Sequence, residues 1–138
     1  MVKFYTIGMI EKYNPFVSAT TAADYTNGAF GDVADGVFTV GATKFKVLMN
    51  KGKGDSMYTD FTVEAGESSR VCDLSKLDGE YLLISPEHLP STFKATDKLV
   101  SDTTGKLVVS TSAVAPYLLV DSVVEFDGKG AKVKIVAE

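Results

Sequence analysis

The sequence has no tryptophan, one cysteine, one histidine and, among its 14 basic residues, a single arginine, Arg70. Each scarcity removes a class of function. A lone thiol, Cys72, forms no internal disulfide, so stability must come from packing. Between Val71 and Asp73 that thiol reads as a buried, inert strand residue rather than a nucleophile. His88 lies between Pro86 and Pro90, in a loop, and no cysteine or second histidine stands at metal-ligand spacing from it. No metal site and no cofactor are expected. A Ser-His-Asp arrangement would have to run through His88, and no Gly-x-Ser-x-Gly accompanies it.

Charge and hydropathy exclude two further classes. The balance of 14 basic against 18 acidic residues, with formal net charge −4, offers no arginine-rich stripe to neutralise phosphates, so no nucleic-acid partner is expected. Long apolar runs are also missing. The apolar residues among positions 1–10 are interrupted by Glu11, Lys12, Asn14 and Pro15, too early for a secretory core segment, and no later run approaches membrane-spanning length. No membrane partner is expected, and synthesis in a cytoplasm is.

What is present is β-like. The chain is 138 residues long and 45% hydrophobic, enough for one domain with a real core. Asn27-Gly28, Asp35-Gly36, Asp78-Gly79 and Asp127-Gly128 are dipeptides that supply left-handed turn geometry. Between them, residues 37–40, 44–49, 58–63, 69–73, 81–84, 98–101, 106–109, 117–126 and 131–136 are rich in β-branched and aromatic side chains. Asp102-Thr103-Thr104-Gly105 reads as a tight hairpin turn. Residues 38–48 resemble 126–136, and 81–84 resemble 117–120, but the offsets disagree, so two hairpins of similar chemistry explain them better than a repeat. The fold expected is all-β: a compact barrel or sandwich of short antiparallel strands with an extended N-terminal arm. Residues 1–24 form that arm and its linker, with 18–24 as one helical turn or plain linker, and 25–138 form a single β domain.

Candidate chemistry is thin. Lys51-Gly52-Lys53-Gly54-Asp55-Ser56 lacks the spacing of a phosphate cradle and no helix follows it, so a charged surface loop is the better reading. Asp32, Asp35, Asp55, Asp60, Glu64, Glu67 and Asp73 sit mostly beside glycines or at strand ends, where turn formation accounts for them. No dense Asp-x-Asp-x-Asp loop suggests calcium. No catalytic set emerges. The N-terminal stretch is more informative: Phe4, Tyr5, Ile7, Tyr13 and Phe16 are costly to leave in water and must pack on the domain or on a partner.

Residues 95–109 (ATDKLVSDTTGKLVV), 117–126 and 130–136 resemble a run of Asp-x-Val, a short turn, Gly-x-Leu, a long strand and a closing Val-x-Val. Together with Asp35-Gly36-Val37-Phe38-Thr39-Val40-Gly41, this pattern covers about half the chain and resembles small tailed-phage head-decoration proteins, which stabilise capsids. The resemblance implies a non-enzymatic virion structural protein on the capsid surface, with the major capsid protein as partner and a possible homo-trimer. The partner-binding residues would be Phe4, Tyr5, Ile7, Tyr13 and Phe16, with the four aromatics among them as large anchors. The alternative is a carbohydrate- or surface-binding β-sandwich module of a phage tail or adhesin. It wants exposed aromatics beside Asp or Asn on one face, and Tyr25, Tyr58 and Tyr117 are the candidates.

Overall fold

The computed structural model describes residues 2–4, 15–49, 62–126 and 128–138. In chain order its strands are β1 (Val2–Phe4), β2 (Phe16–Thr21), β3 (Tyr25–Thr26), β4 (Phe30–Ala34), β5 (Val37–Val40), β6 (Lys46–Leu48) and β7 (Thr62–Val63). After these come β8 (Ser68–Asp73), β9 (Tyr81–Ile84), β10 (Lys98–Ser101), β11 (Leu107–Val109), β12 (Tyr117–Glu125) and β13 (Lys129–Val136). The helical content among the described residues is two single 3-10 turns, Leu74–Lys76 and Pro86–His88. The protein is all-β, as the turn punctuation and strand runs imply.

The strands form three sheets. Five close into a barrel in the order β2-β5-β4-β6-β8, antiparallel except for the β2–β5 seam, which is parallel. Six form an antiparallel sheet in the order β1-β9-β13-β12-β10-β11, and β3 pairs with β7 as a separate ribbon. Local chemistry sets the turns. Asp35 (φ 52°) and Gly36 (φ 76°) place two consecutive left-handed residues at the β4–β5 hairpin, the geometry that matches strand twist. At the β10–β11 turn, Asp102 Oδ1 accepts bonds from Thr104 N–H (2.8 Å), Thr104 Oγ1 (2.6 Å) and Lys106 N–H (3.2 Å).

Two cores share one wall. The barrel interior holds Ala19, Phe38, Leu48, Val63 and Val71. The larger core lies between the outside of the barrel and the inner face of the sheet. There Phe30, Val47, Met49 and Cys72 meet Leu82, Ile84, Leu99, Leu118, Val120, Val133 and Ile135. Successive strand residues point to opposite faces. Leu48 therefore faces the barrel interior while Val47 and Met49 face the sheet, and Val71 and Cys72 divide the same way. Burial on both sides explains the uninterrupted apolar runs Val47-Leu48-Met49 and Val71-Cys72. Each large side chain so buried contributes roughly 1.5–3 kcal/mol.

Within residues 1–24, Val2–Phe4 and Phe16–Thr21 are strands of the domain and not an arm outside it. Val2 is 2% exposed, within the larger core, and β1 pairs with β9 through Val2↔Ile84, Lys3↔Leu83 and Phe4↔Leu82. Of residues 18–24, the last three link β2 to β3, but residues 16–21, which include 18–21, form neither helix nor linker. They are a barrel strand bonded to β8 along five registered pairs, from Phe16↔Cys72 to Thr20↔Ser68. The cause is the small-residue alternation in Ser18-Ala19-Thr20-Thr21. Ala19 and Thr21 are buried while Ser18 and Thr20 face solvent, a pattern that fills a narrow barrel without bulky side chains.

Candidate functional site

The isolated titratable residues are structural. Cys72 is fully buried in β8 and its thiol is pushed up to about 12, mainly by burial and further by Asp73, so almost no thiolate forms at neutral pH. Asp73 caps the 3-10 turn after β8 by accepting from Ser75 N–H (3.1 Å) and Ser75 Oγ (2.6 Å). Asp32 accepts from Lys46 Nζ at 2.8 Å, and Lys44 stands 3.9 Å away; the Lys46 bond holds its carboxyl below the ordinary value. Glu67 accepts from Glu64 N–H (3.0 Å) and closes the β7–β8 turn. Asp55, Asp60 and the 51–56 loop lie outside the described residues. Among the described residues, no group of three or more His, Cys, Asp or Glu gathers as a metal ion would require, and no helix is long and apolar enough to cross a membrane.

The five anchors expected near the N-terminus separate. Phe16 packs against the larger core, with the Arg70 guanidinium 4.2 Å from its ring centroid. It braces the barrel wall. The Phe4 backbone is in the edge strand β1, opposite Leu82. Tyr5, Ile7 and Tyr13 lie outside the described residues, in the ten-residue stretch that joins β1 in the sheet to Pro15 at the start of the barrel.

Two features sequence reasoning did not find stand out. The first is the edge strand β11. Main-chain bonds from Ser110 N–H to Lys98 O (2.9 Å) and from Asp102 N–H to Lys106 O (2.7 Å) set the phase of the β10–β11 ladder. The register Val100↔Val108 then bonds Val108 inward, and the N–H and C=O groups of Leu107 and Val109 point away from β10, off the end of the sheet. Val108 and Val109 are each 37% exposed, and Val114 in the following loop is 80% exposed. These are three of the five exposed large apolar side chains among the described residues. Natural sheet edges are blunted by short length, lysine, proline or a bulge; β11 is three residues long, and Leu107-Val108-Val109 itself carries no lysine, proline or bulge.

The second feature is a cavity of about 320 Å³ where the barrel meets the sheet. One wall is Asp24, Tyr25, Thr26 and Ala29. The other two are Glu87 with His88, and the β10–β11 turn residues Thr104, Gly105 and Lys106. The walls are locked together. The Phe30 N–H donates to Gly105 O at 2.8 Å, and a Cβ on Gly105 would stand 2.9 Å from the Phe30 carbonyl oxygen. Gly28 (φ +100°) lies so close beneath His88 that a Cβ there would be 2.6 Å from the imidazole Nε2. His88 is 3% exposed, and Glu87 beside it accepts from Ser85 Oγ at 2.7 Å. Asp24 Oδ1 accepts from Ala65 N–H at 2.8 Å, which fixes the carboxylate at the rim. The Tyr25 ring stands edge-on to Phe38, with centroids 5.7 Å apart.

Of the tyrosines that favoured carbohydrate binding, Tyr25 thus reaches a cavity beside Asp24. Tyr117 is covered by Lys98 Nζ at 4.9 Å from its ring, and Tyr58 lies outside the described residues. The cavity was hidden because its walls come from three separated segments. No protein-family model matches this sequence, and no curated protein does.

Proposed function

We propose that this chain is a non-enzymatic structural protein of a phage virion, binding the outside of the major capsid protein and stabilising the assembled shell. The resemblance of about half the chain to head-decoration proteins motivates the class. The open, valine-bearing edge at β11 is the observation that carries the mode of attachment. An extended segment of the shell subunit adds beside β11. It bonds the main chain of Leu107 and Val109 and covers Val108, Val109 and Val114.

Tyr5, Ile7 and Tyr13 supply a second contact. The flanking residues are fixed, Phe4 in the sheet and Pro15 at the start of the barrel, so both ends of this contact are already placed by the domain. A homo-trimer around a shell axis would repeat both contacts three times and raise avidity without new chemistry.

The test is co-sedimentation with purified shells that lack this protein. Two variants are compared with wild type: V108K/V109K, and a chain in which residues 5–14 are replaced by Gly-Ser repeats of equal length. Each is expected to weaken binding by at least about tenfold while the thermal midpoint stays within a few degrees. Wild-type protein that stays in the supernatant, or variants that both sediment like wild type, would overturn the reading.

A further inference from the structure

We propose that the cavity at the barrel–sheet junction binds one neutral pyranose unit, free or at the end of a glycan; this goes beyond the shell-binding role and does not depend on it. Size is the first argument. At about 320 Å³ the cavity is near the lower end of the roughly 300–1,000 Å³ typical of small-molecule sites, which suits a single sugar ring rather than a chain.

The lining is the second argument. Two carboxylates, Asp24 and Glu87, can accept from adjacent hydroxyls, as charge-assisted bonds stronger than neutral ones. Thr26 and Thr104 add hydroxyls that both donate and accept, and the Lys106 ammonium donates to a ring or hydroxyl oxygen. Tyr25 and Ala29 supply the apolar surface that the C–H face of a pyranose needs. Such a mixture matches a ligand that is amphipathic and densely hydroxylated.

Charge sets the selectivity. Among the described lining residues two carboxylates stand against one ammonium, a balance that disfavours sialylated, sulfated or phosphorylated sugars relative to neutral ones. Pre-organisation is the third argument. The Gly28–His88 contact and the Phe30–Gly105 bond hold the three walls in place before any ligand arrives, so little ordering is charged against affinity.

The experiment is a titration of the full-length, isotopically labelled protein followed by ¹H–¹⁵N spectra. The probes are methyl α-D-mannoside, methyl β-D-galactoside, N-acetyl-D-glucosamine and N-acetylneuraminic acid, each to roughly 50 mM. At least one neutral sugar is expected to shift the amides of Asp24, Tyr25, Thr26, Thr104, Gly105 and Lys106 saturably. N-acetylneuraminic acid is expected to leave them in place. D24N and K106M should each weaken the neutral sugar by about tenfold with the rest of the spectrum unchanged. Lys106 is exposed on a turn, so K106M decides the matter if D24N fails to fold. The proposal is overturned if none of the three neutral sugars shifts these amides. Equal binding of N-acetylneuraminic acid, or a K106M titration indistinguishable from wild type, overturns it as well.

Discussion

Gly28→Ala should be among the most damaging single-methyl additions in this protein, and its cost can be divided by experiment. Two terms add. The backbone at φ +100° disfavours any L side chain, at roughly 1–2 kcal/mol. The new methyl would also stand 2.6 Å from His88 Nε2, inside contact distance of a ring that is 3% exposed. Over-packing of this kind costs about 1–3 kcal/mol. A total near 3 kcal/mol would lower the thermal midpoint by roughly 10 °C in a domain of this size. Replacing His88 by alanine removes the second term and leaves the first. A double-mutant cycle of G28A, H88A and the pair, measured by urea denaturation, should therefore return a coupling of about 1–3 kcal/mol in favour of the pair. A coupling below roughly 0.5 kcal/mol would refute the claim that the imidazole is what keeps a side chain out of position 28. A neutral G28A would refute the backbone argument too.

Two further outcomes follow from named groups. Cys72 should resist a thiol-specific disulfide reagent at pH 8 in the native state and react at once in denaturant; fast native labelling would contradict the burial that raises its pKa. Asp32 and Asp102 both have carboxyls lowered from 3.8: Asp32 first by the Lys46 bond, Asp102 because the Thr104 and Lys106 bonds together outweigh its burial. Their contribution is present above the ordinary carboxylate value and is lost as pH falls through the folded-state values. With Asp32 exposed and its pair screened, the loss attributable to that pair should stay within about 1 kcal/mol. D102N should flatten the urea-denaturation profile below pH 4, and an unchanged acid profile would rule out that assignment.

Much of the β framework was legible before any coordinates. Residues 81–84 and 98–101 are the observed β9 and β10 without a shift, and 117–126 and 131–136 fall on β12 and β13. Those strands carry large β-branched or aromatic side chains that pack on one sheet face, so composition and structure agree. Two barrel strands were not legible, for different reasons. β2 carries only small residues from Ser18 to Thr21, with Ala19 and Thr21 as its buried positions, so no large β-branched or aromatic run marks it. β4, Phe30-Gly31-Asp32-Val33-Ala34, reads poorly as strand because of Gly31 and Asp32. Yet the Thr39 carbonyl and the Phe38 ring occupy the place where a Cβ of residue 31 would sit, and Asp32 answers Lys46 across the same sheet. Tyr25 is one of three candidate aromatics in the sequence, but its cavity neighbours Glu87 and Lys106 are distant in sequence, and only the closure of barrel onto sheet brings them together.

The wall shared by the two cores ties the barrel's fate to that of the sheet. β6 and β8 have no solvent-facing apolar side, since each inward residue serves one core and its neighbour the other. Opening the sheet would strip Val47, Met49 and Cys72 of their cover, and collapsing the barrel would do the same to Leu48 and Val71. Neither half keeps a complete interior without the other, so the molecule behaves as one cooperative unit in which strain at either end is felt at both. A pull on the β11 edge is therefore met by the stability of the whole chain and not by that of one hairpin.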